Sequence, residues 1–214
     1  MGKVIEPHHD LESIYRLCIG QLVRGIQKKN HPFREVALAT TANNPNARMV
    51  ILRKVEQDPF RIFIYTDFRS EKVREITQNP RATFLFWHPS AKFQLKLKTN
   101  ISIHHRDELA KSLYQQQPLR SQESYNTANA PGTEINTTKN PQAELRKDFI
   151  PDDFAVLACD VTEMEALQLS REGHIRARFK IPEGEAQCVS SLMGFPLFSD
   201  IRDCASGAIS RGRS

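Results

Sequence analysis

The sequence predicts a mainly β domain with flanking helices. Between about Val36 and Phe179, apolar residues alternate with polar ones in several short runs, as they do in strands with one buried face. Three other segments have the apolar spacing or the capping residues of helices. The 214 residues suit one domain, or one domain with a tail.

Three helices are predicted, over residues 11–29, 70–76 and 107–116. Asp10 and Ser70 precede the first two and are residue types that favour the N-cap position. The predicted strands, in chain order, cover residues 36–40, 48–52, 60–65, 82–87, 93–104, 154–158, 165–169 and 174–179.

Two segments lack a sustained period. Residues 117–152 are rich in Gln, Asn, Thr and Pro, and we expect a long loop there. Residues 183–214 are punctuated by Gly and Ser, and we expect an irregular C-terminal tail. The domain itself is therefore expected to span residues 1–182.

Several classes of protein are disfavoured by the sequence. The apolar runs are far shorter than the roughly 20 residues that cross a bilayer, and the N-terminus lacks the apolar region of a signal peptide. We therefore expect a cytoplasmic protein with no membrane partner. The four cysteines form no CxxC, and the His8-His9 and His104-His105 pairs have no nearby ligands at metal spacing, so no metal site is predicted.

The formal charge of +5 fits either a nucleic-acid partner or a pocket for a phosphorylated small molecule. The predicted strand with Lys96 and Lys98 lacks the interleaved aromatic residues of a nucleic-acid surface, so no nucleic-acid partner is predicted. Glycine-rich phosphate loops of the GxGxxG or GxxxxGK[ST] type are also absent from the sequence.

The most informative stretch runs from Arg48 to Gln94. Its blocks are Ala-Arg-Met-Val-Ile-Leu-Arg, Phe-Ile-Tyr-Thr-Asp, Arg-Ser-Glu-Lys, Asn-Pro, Phe-Trp and Phe-Gln-Leu-Lys-Leu. In order and spacing they resemble the pyridoxamine 5'-phosphate oxidase family, which has Arg-Met-Val-Leu-Leu-Lys, Phe-Tyr-Thr-Asn, Ser-Arg-Lys, Asn-Pro, Phe-Pro-Trp and Arg-Gln-Val. The resemblance implies a homodimeric split β-barrel with FMN (flavin mononucleotide) in each of two interface clefts.

The same resemblance implies a set of cofactor-binding residues. The main chain from Arg48 to Arg53 would lie along the flavin, Gln94 would reach the isoalloxazine, and Arg178 would reach the partner's site. The predicted set is Arg48, Met49, Val50, Ile51, Arg53, Tyr65, Thr66, Ser70, Lys72, Gln94 and Arg178.

The chemistry of a phosphate agrees with part of this set. An FMN phosphate is nearly a dianion, which a guanidinium and an ammonium together can neutralise, and Arg48 and Lys72 are the matching residues. Ser70, at the start of a short helix, can add a hydroxyl while the helix N-terminus adds N–H groups and a favourable dipole.

The sequence also departs from the family. Glu71 stands where the family has a phosphate-binding arginine, and Arg69 or Arg74 could compensate for it. Gln168 stands where the family has a tryptophan that stacks on the flavin. Of the family's substrate residues, only Ser121 is shared, and the family's Arg-x-His pair aligns with His174-Ile175-Arg176, which has the two types in reverse order. Pyridoxamine phosphate is therefore not predicted as the substrate.

Three hypotheses follow, in order of preference. The first is an FMN-dependent oxidoreductase of unassigned substrate, in which the flavin itself carries the electrons. The second is a non-catalytic protein that binds or carries a flavin on the same fold. The third is a basic nucleic-acid-binding barrel, which would be colourless and would bind oligonucleotides in a salt-sensitive way.

Overall fold

The computed structural model describes residues 2–122, 125, 130, 131, 153–181 and 189–195. Its elements, in chain order, are α1 (Leu11–Gln27), β1 (Glu35–Thr41), β2 (Pro45–Gln57), β3 (Phe60–Asp67), α2 (Glu71–Gln78), β4 (Arg81–His88), β5 (Phe93–His105), α3 (Glu108–Gln115), α4 (Leu119–Gln122), β6 (Phe154–Gln168), β7 (His174–Lys180) and β8 (Val189–Phe195). A single 3₁₀ turn, Pro32–Arg34, joins α1 to β1.

Six antiparallel strands form a closed barrel. The order is β3, β2, β1, β4, β5, β6, and the first half of β6 pairs with β3 to close the ring. The second half of β6 pairs instead with β7, which in turn pairs with β8 outside the ring. The predicted mainly β fold, a split barrel with flanking helices, is confirmed.

The barrel interior holds the main hydrophobic core. Alternate residues of each strand point inward, as the period of two requires, so that Phe84, Phe86 and Phe93 are fully buried. Helix α1 adds Ile14 and Leu22 to the same core. Its N-cap is Asp10, as predicted, whose side chain accepts a hydrogen bond from the Ser13 N–H.

Helix α1 lies very close to the chain that follows it. A Cβ atom at Gly25 would stand 2.8 Å from the Phe33 carbonyl oxygen, so only glycine fits where α1 passes over the 3₁₀ turn. Helix α3 covers a different region, the outside of β3 and the first half of β6. It buries Leu113 and Tyr114 against Phe63 and Phe154 in a second apolar cluster.

One broad surface of the barrel is covered by none of the helices that the structure describes. We call it the outer sheet face: the outward side of β1, β2, β4, β5, the second half of β6, and β7. In one row of residues across this face, Met49 pairs with Ala37, Ala37 pairs with Leu85, and Leu85 pairs with Lys96. The side chains of this row therefore change from apolar to charged between β4 and β5. Lys96 is paired with Glu165, which continues the row on β6.

Two predictions about the strands were wrong. The segments 154–158 and 165–169 are one strand, β6, because the polar residues between them form ion pairs with neighbouring strands, as Asp160 does with Arg61. The tail predicted for residues 183–214 contains β8, which supplies main-chain partners for the free edge of β7. Residues 182–188 and 196–214 lie outside the described residues, as does most of the predicted loop at 117–152, where the structure describes α4.

Within the described residues, α1 is the longest helix, and none is long and apolar enough to cross a bilayer.

Candidate functional site

One end of the barrel carries the two cations that the sequence assigns to a phosphate. Arg48 lies on β2 and points inward, and Lys72 lies in the first turn of α2. Lys72 Nζ donates to Thr66 Oγ1 at 3.1 Å, and the hydroxyls of Thr66 and Ser70 are 3.3 Å apart. Burial lowers the pKa of Lys72, and the positive charge of Arg48 lowers it further, as expected for neighbouring cations. The structure thus brings four predicted residues together.

Arg48 is held by two partners. Its Nη2 donates to Glu75 Oε2 at 2.6 Å, and its Nη1 donates to Thr40 Oγ1. The Arg48 side chain is 19% exposed, so it is not fully buried by these partners. The ion pair joins strand β2 to helix α2.

Glu75 is a residue that the sequence analysis missed. Its carboxylate accepts hydrogen bonds from Thr40 at 2.6 Å, from Asn46 at 2.8 Å and from Arg48. Burial by itself would raise the pKa of this carboxyl, but the three hydrogen bonds outweigh burial and lower the pKa overall. No decisive signal for it was present in the sequence, because Arg74 also lies between the buried Val73 and Ile76 and is exposed.

The donor types at this barrel end suit a phosphate. Ser70 occupies the N-cap position of α2, but its side chain makes no capping hydrogen bond and lies against Thr66 instead. The helix N-terminus and both hydroxyls therefore lie beside Lys72, where helix dipole and hydrogen bonds favour an anion.

The departure at Glu71 has a clear outcome in the structure. Glu71 is exposed at the start of α2, and its carboxylate accepts from Asn46 at 3.3 Å. Arg69 is paired with Asp67 at 2.6 Å and with Asp153 at 3.2 Å, so its charge is already neutralised. Arg74 is exposed and remains the candidate for compensation.

The segment after Arg48 alternates between the two sides of the sheet. Met49 is 62% exposed on the outer sheet face, whereas Val50 is buried in the core and can offer only main-chain atoms to a ligand. Ile51 is half-buried. Arg53 lies at a register shift in β2, with its guanidinium 5.9 Å from the centre of the Tyr65 ring.

A second group of predicted residues lies on the outer sheet face. Arg178 Nε donates to Glu165 Oε2 at 2.6 Å, and Lys96 Nζ donates to Glu165 Oε1 at 3.1 Å. Arg176 Nη1 lies 4.0 Å from the same carboxylate. Burial would raise the pKa of Glu165, but these cations lower it overall, so the carboxylate stays charged among them. Gln94 is on the same side of β5, two residues before Lys96.

The remaining predicted residues are placed as follows. His174 begins β7, where its Nδ1 accepts from the Ser170 N–H at 3.2 Å. Ser121 is half-buried on α4.

Gln168, at the position of the family's stacking tryptophan, is fully buried. Its Oε1 accepts from the N–H groups of Val4 and Ile5, and its Nε2 donates to the carbonyls of Ala91, Lys92 and Leu169. This side chain ties the N-terminal segment to the barrel and does not face a ligand.

Residues 16–105 match the family model of the pyridoxamine 5'-phosphate oxidase, FMN-binding domain. The resemblance seen in the sequence is confirmed. The matched stretch contains most of α1, the first five barrel strands and α2, and therefore the whole Arg48 and Lys72 cluster.

Curated relatives of this family match over a similar stretch. The pyridoxine/pyridoxamine 5'-phosphate oxidase of Polynucleobacter asymbioticus is 32% identical over 93 residues, which are 43% of this chain and 42% of the relative. The enzyme of the same name from Agrobacterium fabrum is 38% identical over 88 residues, 40% of this chain and 41% of the relative. The chain thus spans about two fifths of the length of these curated relatives.

Solved structures share the fold over nearly the whole length. A pyridoxamine 5'-phosphate oxidase-related, FMN-binding protein from Nostoc punctiforme has a TM-score of 0.66 at 18% identity, covering 90% of this chain and 98% of that one. PhzG from Burkholderia lata, solved with tetrahydrophenazine-1-carboxylic acid, also has a TM-score of 0.66 at 18% identity, with coverage of 89% and 96%. At these identities the likeness concerns the fold.

Proposed function

We propose that this protein is an FMN-dependent oxidoreductase whose cofactor phosphate binds at the barrel end. The observation that carries the proposal is the convergence of Arg48, Lys72, Thr66 and Ser70 beside the N-terminus of α2. Two cations, two hydroxyls and a helix dipole are complementary to a phosphate dianion. The family match over the same residues supports the choice of FMN.

The protein's own residues bind and orient the flavin. Arg48 and Lys72 would neutralise the phosphate, with Thr66 beside them, and the main chain of β2 and Tyr65 would hold the rest of the flavin. Gln94 would donate its side-chain amide to the polar edge of the ring. When bound, FMN supplies the capacity to accept a hydride or electrons. We assign Ser121, His174 and Arg176 to the substrate side of the cleft.

The outer sheet face is the surface that we propose for the homodimer. Met49, Leu85 and Trp87 are 62%, 40% and 39% exposed there, although large apolar side chains favour burial. A two-fold interface places the same patch on both subunits, so this apolar patch can be covered by its copy. Arg178, half-exposed on the same face, would then reach the partner's flavin and favour negative charge on it.

An absorbance spectrum of the purified protein, with mass identification of the released chromophore, tests the cofactor. We expect flavin bands and the mass of FMN. The double variant Arg48→Ala with Lys72→Ala should lose the bands, because the phosphate loses both counter-charges. The control, Arg16→Ala with Lys29→Ala, removes two exposed cations from and just beyond α1 and should stay yellow. If the double variant at Arg48 and Lys72 stayed yellow, the assignment of these two residues to the cofactor phosphate would be refuted.

Turnover assays then separate the oxidoreductase from a non-catalytic flavin carrier. Reduced nicotinamide and pyridoxamine phosphate serve as electron donors, with oxygen as acceptor. Steady consumption of a donor above the rate of free FMN supports an enzyme. A yellow protein that accelerates no donor reaction supports the carrier.

A further inference from the structure

We infer that Glu75 is a positioning residue for the cofactor phosphate: its carboxylate fixes the Arg48 guanidinium in the orientation that receives the phosphate. The inference rests on the proposed FMN site and deepens it. Glu75 itself would not touch the cofactor, because it is 8% exposed and lies behind Arg48.

The contacts of Glu75 form a closed ring. Arg48 donates to both Glu75 and Thr40, and Thr40 donates to the same Glu75 oxygen, Oε2. Asn46 adds a hydrogen bond at 2.8 Å to the other oxygen. Since each member of the ring is held by the other two, the guanidinium has little freedom to rotate.

The ring leaves part of Arg48 available. A guanidinium has N–H groups on all three nitrogens, and the ring engages one on each terminal nitrogen. The other N–H groups of Arg48 make no hydrogen bond within the described residues. A guanidinium that is already fixed in position loses less side-chain entropy when it binds a phosphate than the guanidinium of a freely rotating arginine side chain does.

The negative charge of Glu75 also offsets part of the positive charge of Arg48 and Lys72 when no anion is bound. Lys72 precedes Glu75 by three residues, on the same side of α2. Burial lowers the pKa of Lys72 most and the charge of Arg48 lowers it further, whereas the charges of Asp67, Glu75 and Glu71 act in the opposite direction. Glu75 is the carboxylate among these that also pairs with Arg48, so it reduces the repulsion between the two cations.

The experiment measures phosphate selectivity, defined as the ratio of the riboflavin and FMN dissociation constants of flavin-free protein. Riboflavin lacks the phosphate, so the ratio isolates the phosphate end. We expect Glu75→Ala to reduce the ratio about tenfold, because a hydrogen bond to a charged group is lost, and to leave riboflavin binding unchanged. Glu75→Gln, whose amide oxygen can still accept from Arg48, should lose less.

A double-mutant cycle identifies the route of the effect. In the Arg48→Ala background, Glu75→Ala should cause no further loss of selectivity, since the residue that it positions is absent. Glu108→Ala is the control, because it removes an equal charge at an exposed position on α3, where the carboxylate pairs with Lys111. It should not reduce selectivity. Thermal melting of each variant confirms folding, and Glu75→Gln serves if Glu75→Ala does not fold.

The outcomes are distinct. An increase in selectivity on removing Glu75 would overturn the inference and show that this carboxylate competes with the phosphate for Arg48. An undiminished loss in the Arg48→Ala background would also overturn it, and would indicate general damage to α2. Wild-type protein that binds FMN no better than riboflavin would refute the proposed phosphate site itself.

Discussion

At the scale of single residues, the buried Gln168 amide has the largest predicted effect on stability. All five of its hydrogen bonds go to backbone groups. Gln168→Met, which keeps the volume, should lower the free energy of unfolding by about 2 kcal/mol because buried backbone groups lose their partners. Urea unfolding measures the loss, and hydrogen exchange should show Val4 and Ile5 opening first.

The control for this prediction is Gln57→Met, at the exposed end of β2. It should leave the free energy of unfolding within about 0.5 kcal/mol of the wild type. If the two variants were equally stable, the hydrogen bonds of the Gln168 amide would be no stronger than hydrogen bonds to water, and this side chain would not hold the N-terminal segment.

Single-residue roles were only partly predictable. Arg48 and Lys72 could be proposed because they stand at matching positions of the family's blocks, and the chemistry of a phosphate agrees with that match. Glu75 and Glu165 could not be assigned, since each meets its cations only after distant strands and helices pack. Gln168 took a structural role because its amide can satisfy donors and acceptors at once, which a tryptophan cannot.

At the scale of elements, two histidines join α1 and its 3₁₀ turn to the end of β4. Their rings are 5.6 Å apart. His31 Nδ1 accepts from the Phe33 N–H and His88 Nδ1 accepts from the Ala91 N–H, and neither can do so once protonated. Burial lowers the pKa of both; for His31, repulsion by His88 comes next, followed by that of Arg24 and Lys28.

The junction should therefore weaken in acid. A histidine whose pKa is lower in the folded state binds its proton more readily when unfolded, so its stabilising effect is present above about pH 6.5 and is lost as pH falls. In chemical denaturation from pH 7.5 to 5.5, His31→Asn with His88→Asn should lose less stability than the wild type. Asparagine can accept the same backbone hydrogen bonds without titrating.

The control is His8→Asn at an exposed position, which should follow the wild-type curve. Parallel curves for the double variant and the wild type would show that other groups cause the acid sensitivity.

Elements themselves were predicted well where one face is buried. The alternation of β4 and β5 follows from a core on one side and solvent on the other. The first half of β6 is buried on both faces, between the barrel and α3, and its second half is partly exposed, at Thr162, Glu163 and Leu167. The sequence predicted two strands, 154–158 and 165–169, because pairing with distant strands leaves no local signal in the residues between them.

At the scale of the whole molecule, the outer sheet face should determine assembly. We expect Leu85→Glu to convert a dimer to a monomer, because a charge at the centre of an apolar interface loses its hydration without a partner. Light scattering coupled to size exclusion measures the mass. The variant should also bind FMN less tightly, since the proposed cleft needs both subunits.

Lys111→Glu, on the exposed side of α3, is the matched control and should stay dimeric. A Leu85→Glu variant that remains a dimer would place the subunit contact on another surface.

The ring closure between β3 and β6 also constrains how the chain can fold. Arg61 and Asp160, which pair across that seam, are 99 positions apart, so the closing contacts cannot form while the first strands emerge from the ribosome. During that interval β3 and β5 present unpaired edges to any neighbouring chain. Slow synthesis or high concentration at that stage should favour aggregation over native protein, and co-translational chaperones should raise the yield.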